Sequence, residues 1–380
     1  MGFDQLAFFQ KLNLNQNLLI VGPPETGKIA ILKSLPLYQN ALYIDLEDQF
    51  LVKELLMRPD LLDQIIQETE PGDWIAINHI ERISKYFPKI LNFIENKKIF
   101  IAATCTSLKE ISLELQNRSY IYYTTNNSFE QTENINSLSE ILSFGSLPKI
   151  YTLEKNIDKI RYLKTYLQDF LAAEIIAKSY IRNLVPFHLF LPLAAKTVGK
   201  KLNFTALAQE LDVDYKTVQY YYELLIQFRL GFYLPAYQTF VRKGQSKSAQ
   251  FYFFDTGIYR AVENSLDQIP DFNNTEYNLL FKSWCINEII KISSIRNLNY
   301  KFSQLETKDK VRIDLVLEKP NGEVNLIVFI AAATVLPRHV KHLKSLGKSI
   351  PKAKLYCVHN LEKETGPFEI NYKNFFNSLR

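Results

Sequence analysis

Eight residues near the N-terminus have the types and spacing of a loop that binds phosphate. In order, they are Gly22, Pro23, Pro24, Glu25, Thr26, Gly27, Lys28 and Ile29. Glycines in this G-x-x-x-x-G-K spacing let backbone N–H groups turn toward phosphate oxygens, and the lysine reaches the β- and γ-phosphates. An apolar run precedes the loop and a helix-like run follows it, so a helix dipole adds to the attraction. The sequence therefore predicts a nucleotide phosphate site at residues 22–29.

The positions that would hold magnesium and activate water carry unsuitable side chains. Position 29, where a serine or threonine hydroxyl would bind the metal, is Ile29. The third apolar run ends in Asn78 and His79, where a carboxylate for the metal and a carboxylate for the water are expected. Asn78 is neutral, and His79 is a poor substitute for a carboxylate base. We therefore expect no catalytic residues, no bound metal, and weak binding of ATP or ADP that does not require Mg²⁺.

Two alternatives remain open for these positions. In the first, one of four nearby carboxylates replaces the missing ones, which would make the chain an active but atypical ATPase; the candidates are Asp45, Glu47, Asp48 and Glu81. In the second, His79 is a new catalytic group or metal ligand. A structural or surface histidine is the simpler interpretation, because the five histidines of the chain are scattered without metal-ligand spacing.

Short apolar runs alternate with helical patterns through the first 125 residues. Two helical stretches are Phe50–Gln67 and Ile83–Ile94. The predicted strands are Asn17–Val21, Leu42–Leu46, Trp74–Ile77, Ile99–Ala103 and Tyr120–Tyr123. Strands that alternate with helices are typical of βαβ units, so we predict an α/β domain with a parallel sheet. The polar segment Thr124–Ser139 is the best boundary after it.

Composition narrows the class of protein. The three cysteines are far apart and odd in number, which excludes a disulfide framework and fits the cytoplasm. The N-terminus lacks the pattern of a signal peptide, and no stretch approaches about 18 apolar residues, so we expect no membrane contact. A net charge of +5 permits nucleic acid as a partner without requiring it.

The chain resembles a large prokaryotic family usually described as AAA-family ATP-binding proteins, whose C-terminal domain of unknown function combines a winged helix with a restriction-endonuclease-like fold. The resemblance covers nearly the whole chain and lies in order and spacing more than in identity. The segments that carry it are Gly22–Ile29, Tyr43–Asp48, Asn78–Glu81, Ala103–Thr106, Arg118, Asn127–Phe129 and Tyr252–Gly257. The resemblance implies an AAA-type P-loop core at 1–125, a linker and helical lid at 126–186, a winged helix-turn-helix at 187–265 and a degenerate endonuclease-like domain at 275–380.

The pattern in the middle of the chain predicts a helix-turn-helix followed by a hairpin wing. Phe204–Leu211 and Val213–Val218 have the apolar spacing of two packed helices. The outward face of the second helix carries one cation among acidic residues. Such a face is poorly suited to recognising bases in the major groove of DNA. The wing suits phosphates better through Arg242, Lys243 and Lys247. Nucleic-acid contact and a purely scaffolding role both remain open.

The resemblance to an endonuclease core does not extend to its metal site. Such a core needs an Asp, and a Glu and a Lys on the next strand. Glu288 and Asp314 are present, but Phe329 and Ala331 stand where the Glu and Lys should be. Nuclease activity is therefore not expected. Our first hypothesis is a degenerate AAA-type protein that acts through an unknown protein partner, and a regulator that binds nucleic acid is the alternative.

Overall fold

The computed structural model describes residues 16–379, apart from 68, 133–134, 177–180, 182, 238–248, 273, 307–311, 333, 349, 351–352 and 364–365. The chain divides into two compact units, one formed by Met1–Gln131 with Gln227–Arg229 and the other by Thr132–Ile226 with Leu230–Arg380. The predicted wing residues Arg242, Lys243 and Lys247 lie outside the described residues.

The first unit is built on a parallel sheet of five strands in the order β2-β3-β4-β1-β5. The strands are β1 (Asn17–Val21), β2 (Leu42–Asp45), β3 (Trp74–Asn78), β4 (Phe100–Cys105) and β5 (Ser119–Tyr123). The helices are α1 (Lys28–Ser34), α2 (Gln49–Met57), α3 (Leu61–Gln67), α4 (Phe87–Lys97), α5 (Leu113–Asn117) and, at the boundary of the unit, α6 (Phe129–Thr132). The predicted parallel α/β domain is confirmed.

Both faces of this sheet are covered, which explains why its strands are apolar runs without alternation. Leu19 and Val21 of β1 belong to one core cluster, whereas Leu18 and Ile20 belong to the cluster on the other face. Because the strands are parallel, their carboxyl ends meet along one edge. The phosphate loop follows β1 at that edge, and it lies beside the ends of β4 and β5.

Two predicted helices are each divided in the structure. The stretch Phe50–Gln67 forms α2 and α3, and the break falls at Arg58-Pro59, because proline disfavours helical geometry in the residue before it. The stretch Ile83–Ile94 forms the end of a 3-10 segment, Ile80–Tyr86, and most of α4. Pro88 lies in the first turn of α4, where its missing N–H removes no helical hydrogen bond.

The second unit begins with helices and a short hairpin. Asp212, in the left-handed region with φ of 51°, makes the turn between two helices, Phe204–Leu211 and Tyr215–Gln227, so the two helices of the predicted helix-turn-helix are present. The strands β6 (Gly231–Leu234) and β7 (Gln250–Phe253) pair antiparallel. The helices are α7 (Leu138–Phe144), α8 (Asn156–Phe170), α9 (Leu184–Lys196), α10 (Phe204–Leu211), α11 (Tyr215–Gln227), α12 (Thr256–Glu263) and α13 (Thr275–Ile295), with 3-10 and π segments at Pro148–Thr152 and Leu171–Ile176.

A second five-stranded sheet follows α13, in the order β12-β11-β10-β9-β8. The strands β8, β9 and β10 form an antiparallel meander. The strand β11 pairs parallel with β10, and β12 pairs parallel with β11. The remaining elements are β8 (Lys301–Glu306), β9 (Arg312–Glu318), β10 (Val324–Ile330), α14 (Pro337–Gly347), β11 (Ala353–His359), β12 (Glu369–Asn371) and α15 (Tyr372–Ser378). An additional C-terminal sheet domain is therefore present, as predicted.

Candidate nucleotide-binding site

Gly22 occupies a position that only glycine fits. Its N–H donates to Cys105 O at 3.1 Å, which joins the start of the loop to the end of β4. A Cβ atom at Gly22 would lie 2.0 Å from Thr124 Oγ1 and 2.8 Å from Thr124 O. Thr124 in turn donates its N–H to Val21 O at 2.7 Å. The loop therefore starts between two strand ends, and moving them apart to make room for a side chain would break these backbone hydrogen bonds.

Gly27 is needed for its backbone conformation instead. Its φ is +81°, in the left-handed region, and nothing lies within 4 Å of the place where a Cβ would stand. Gly27 caps the start of α1 and accepts Ile31 N–H at 2.9 Å. Glu25 also has a positive φ, 58°, although it carries an exposed side chain. The loop thus contains two left-handed residues, which is typical of backbone that turns its N–H groups toward an anion.

Lys28 is 5% exposed, and its ammonium group lies inside the loop. Nζ donates to Gly22 O and to Pro23 O, at 2.7 Å in each case. Thr26 Oγ1 donates to Pro23 O at 2.7 Å and pairs with Thr124 Oγ1 at 2.8 Å, which holds the loop closed around the amine. A buried cation surrounded by loop backbone fits a phosphate group, which would exchange for the two carbonyl contacts.

The residues at the metal positions do not fit a magnesium ion. Ile29 is half-buried and has no oxygen to offer. Asn78 is fully buried, and both ends of its amide are committed. Nδ2 donates to Asp45 Oδ1 at 2.9 Å, and Oδ1 accepts the hydroxyl of Thr104 at 2.6 Å. A neutral amide locked in this way leaves no ligand for Mg²⁺, which prefers carboxylates and phosphates.

His79 takes part in the backbone turn after β3. Its φ is 56°, and its N–H donates to Thr104 Oγ1 at 3.0 Å. The ring Nδ1 lies 3.4 Å from Glu81 Oε1, so the imidazole faces a carboxylate. In the part of the chain that the structure describes, no group of three His, Cys, Asp or Glu residues could hold a metal ion. The contacts of His79 are those of a positioned structural residue.

The four candidate replacement carboxylates have different surroundings. Asp45 accepts hydrogen bonds from Asn78, from Tyr43 OH at 2.9 Å and from Glu47 N at 3.0 Å. Partial burial by itself would raise the pKa of Asp45, but these hydrogen bonds outweigh burial and lower it. Asp48 is exposed and caps α2, and Glu47 is also exposed. The structure thus leaves Glu81 as the candidate that is buried and not fully committed.

Glu81 is 5% exposed and lies in the 3-10 segment after β3. Its Oε1 accepts Thr106 N–H at 3.1 Å, at the end of β4. Burial alone would raise the pKa of the Glu81 carboxyl, but the hydrogen bond and charge of His79 and the Thr106 amide outweigh it. The pKa is therefore lowered, and the group is an anion at neutral pH. In the sequence Glu81 is one of four candidate carboxylates, and no motif or spacing distinguishes it from the other three.

The second unit contains the remaining predicted residues. Asp255 caps α12 by accepting Gly257 N–H at 2.8 Å and Ile258 N–H at 3.1 Å, and its other oxygen accepts Ser146 N–H at 2.7 Å. A Cβ on Gly257 would lie 2.2 Å from Phe144 O. The sequence suggests that Asp255 and Gly257 form a turn; in the structure Asp255 is the N-cap of α12, and Gly257 lies in the first turn of that helix, where packing against Phe144 leaves no room for a side chain.

The two acidic residues considered for an endonuclease metal site, Glu288 and Asp314, each have a basic partner. Asp314 Oδ1 lies 3.3 Å from Lys282 Nζ, and Oδ2 accepts Phe329 N–H at 3.0 Å. Glu288 is fully buried and pairs with Lys291 Nζ at 2.7 Å, one turn along the same helix. Both carboxylates are therefore paired with lysines of α13.

Comparison with known proteins gives one partial family match and several distant structural similarities. Residues 135–268, about a third of the chain, match a family model described as a domain of unknown function (DUF8612). A search of curated proteins finds no match.

Solved structures similar to this chain include three ATPase-type proteins. The Holliday junction branch migration motor RuvB of Thermotoga maritima has 17% identity and a TM-score of 0.34 over 61% of this chain and 89% of RuvB. A Walker-type ATPase of Pyrococcus abyssi has 10% identity and a TM-score of 0.44 over 68% of this chain and 94% of its own. The AAA domain of FIGL-1 has 17% identity and a TM-score of 0.26 over 42% of this chain and 60% of its own.

These similarities are too low to carry an argument about activity. The fold is assigned from the structure of this chain itself. The assignment depends on the strand order, the loop between β1 and α1, and the position of Lys28. The first unit is a P-loop NTPase fold. No helix in the described ranges is long and apolar enough to cross a membrane.

Proposed function

We propose that the chain is an AAA-type nucleotide-binding protein that holds ATP or ADP on its P-loop and does not hydrolyse it. The observation that carries this proposal is the contrast within one site. The loop has its buried Lys28, whereas Asn78 is bonded to Asp45 and Thr104 where a metal carboxylate is needed. Binding through backbone N–H groups and one lysine requires no metal, but hydrolysis without the metal loses its main charge stabilisation.

The direct test is equilibrium binding of ATP and ADP by calorimetry, in EDTA and in excess Mg²⁺. We expect binding in both buffers, and we expect Lys28→Ala to abolish it. Lys33→Ala is a matched control, because it removes a lysine from the same helix at a position outside the loop. Absence of any Lys28-dependent binding would refute the proposal.

The proposed output is an interaction with another protein. Two large apolar side chains on α2 support this, because Phe50 is 83% exposed and Met57 is 72% exposed, seven residues apart on one helical face. We expect Phe50→Ser with Met57→Ser to weaken co-purification of a partner from the native host. Leu113→Ser is the control, since Leu113 is 75% exposed on a different helix. Equal recovery with all variants would rule out this face.

A further inference from the structure

Two buried oxygen atoms beside the phosphate loop have no hydrogen-bond partner within the described residues. They are Glu81 Oε2 and Thr106 Oγ1. The two residues are bonded to each other, because Thr106 N–H donates to Glu81 Oε1 at 3.1 Å. The ring of His79 pairs with Oε1, at 3.4 Å, and no hydrogen bond from the described residues reaches the second oxygen.

Burying a carboxylate oxygen without a hydrogen-bond partner costs free energy. Such groups in folded proteins usually bind water or a ligand. Water has the hydrogen-bonding groups that both atoms need, because it donates to the carboxylate and exchanges a hydrogen bond with the hydroxyl. A purely structural ion pair would not explain the second oxygen. Glu81 is therefore a buried carboxylate with one oxygen whose hydrogen bonds are not made by the described residues.

The position of this pair is fixed relative to the loop. Thr106 follows Cys105, and Cys105 O accepts the N–H of Gly22 at 3.1 Å. On the loop side of this bond, Lys28 Nζ donates to Gly22 O at 2.7 Å, and on the strand side Thr106 N–H donates to Glu81 Oε1 at 3.1 Å. The carboxylate and the phosphate-binding lysine thus flank the same end of β4.

We infer that Glu81 and Thr106 hold the water that faces the terminal phosphate of a bound nucleotide, so that the water-orienting carboxylate lies two residues beyond position 79 and only the metal ligands are missing. This inference rests on nucleotide binding at the loop. In a variant whose metal ligands are restored, the hydrolytic step bonds the water oxygen to the γ-phosphorus, and the bond from that phosphorus to the bridging oxygen breaks. The bridging oxygen keeps the electron pair and leaves with ADP, and the proton of the water passes to Glu81.

The first experiment uses the native sequence and titrates ATP and ADP in EDTA. Replacing the anion near the terminal phosphate by Glu81→Gln should tighten ATP about threefold or more relative to ADP, because like charges within a few ångströms repel. Glu47→Gln removes an exposed carboxylate that follows β2 and should change neither affinity. If Glu81→Gln shifts both affinities equally or not at all, the inference is wrong. If the native chain binds neither nucleotide, the proposed function fails and the inference fails with it.

The second experiment restores the metal ligands. Ile29→Thr supplies the hydroxyl, and Asn78→Asp supplies the carboxylate. Asp45→Asn is added because Asp45 and residue 78 lie within hydrogen-bond distance. We expect this variant to gain Mg²⁺-dependent ATP hydrolysis, and we expect Glu81→Gln in that background to lower the rate about 100-fold or more.

Two results of the second experiment would overturn the inference. One is hydrolysis that persists at full rate in the Glu81→Gln background. The other is a restored variant that binds ATP with Mg²⁺ but hydrolyses it only after His79→Glu is added. Glu47→Gln in the restored background should leave the rate unchanged, which excludes a general effect of charge.

Discussion

Asn78 faces a carboxylate, and this makes the single substitution Asn78→Asp an informative perturbation. In the native chain Asn78 Nδ2 donates to Asp45 Oδ1 at 2.9 Å. An aspartate at position 78 removes that donor and places two carboxylates in contact. The bond from Thr104 Oγ1 to residue 78 remains, because an aspartate oxygen also accepts it.

The magnitude follows from the distance. Two unit charges 2.9 Å apart repel by about 6 kcal/mol at an effective dielectric of about 20. Asp45 is only half-buried, so solvent screening reduces this value, and uptake of one proton by the pair limits it further. The lost hydrogen bond adds about 1–2 kcal/mol. We expect Asn78→Asp to lower the free energy of unfolding by about 2–4 kcal/mol at pH 8 without Mg²⁺.

The pH dependence has a definite sign. The shared proton raises the folded-state pKa of one carboxyl above its unfolded value of about 4. The folded state then binds more protons than the unfolded state between those two values, so stability falls as pH rises through that window. The deficit of Asn78→Asp should therefore be small near pH 4 and should grow toward neutral pH.

Urea denaturation across pH of the native chain, Asn78→Asp, Asp45→Asn and the double variant measures this repulsion as a double-mutant cycle. Asn78→Ala removes the same hydrogen bonds without adding charge, so its deficit should not grow in that window. Asp45→Asn combined with Asn78→Asp should recover most of the repulsion, but Glu47 N must find another acceptor, so the rescue is incomplete. If Asn78→Asp at pH 8 lies within about 0.5 kcal/mol of the native chain, the assigned contact between residues 45 and 78 is wrong.

Three further predictions concern the loop, a helix cap and the wing. Saturating Mg²⁺ should change the ATP affinity of the native chain less than about threefold in calorimetry, because neither Ile29 nor Asn78 supplies a ligand; strong enhancement would contradict this. Asp255→Ala should lower the free energy of unfolding by about 2–4 kcal/mol in urea titration, since three buried N–H groups lose their acceptor, and Asp255→Asn should lose less. Any DNA binding should be sequence-blind and fall steeply with salt in gel shifts, and unchanged affinity after alanine replacement of the basic wing would exclude the wing as its source. The residues to replace are Arg242, Lys243 and Lys247.

The sequence by itself determined the parts of this protein that depend on local pattern. The phosphate loop could be found because its two glycines and its lysine have a fixed spacing within eight consecutive residues. The strands could be found because a parallel sheet covered on both faces needs unbroken apolar runs. The lack of metal ligands was also visible, since Ile29 and Asn78 cannot supply a hydroxyl and a carboxylate whatever their surroundings.

Helix boundaries were less accessible, because periodicity alone does not show where a helix ends. The apolar spacing continues across Arg58-Pro59, but the proline ends α2 and a new helix begins at Leu61. In the next stretch, backbone hydrogen bonding decides between a 3-10 segment and an α-helix, and side-chain spacing does not distinguish them clearly over seven residues.

Only the tertiary structure decided which side chains meet at the edge of the sheet. Asp45 and Asn78 lie 33 positions apart, and they touch because β2 and β3 are paired with these two residues in register. Glu81 and Thr106 lie 25 positions apart, and they meet because β3 and β4 are adjacent. In the sequence Glu81 was one of four equivalent carboxylates. Burial and a hydrogen-bonding environment distinguish it, and both arise from segments that only folding brings together.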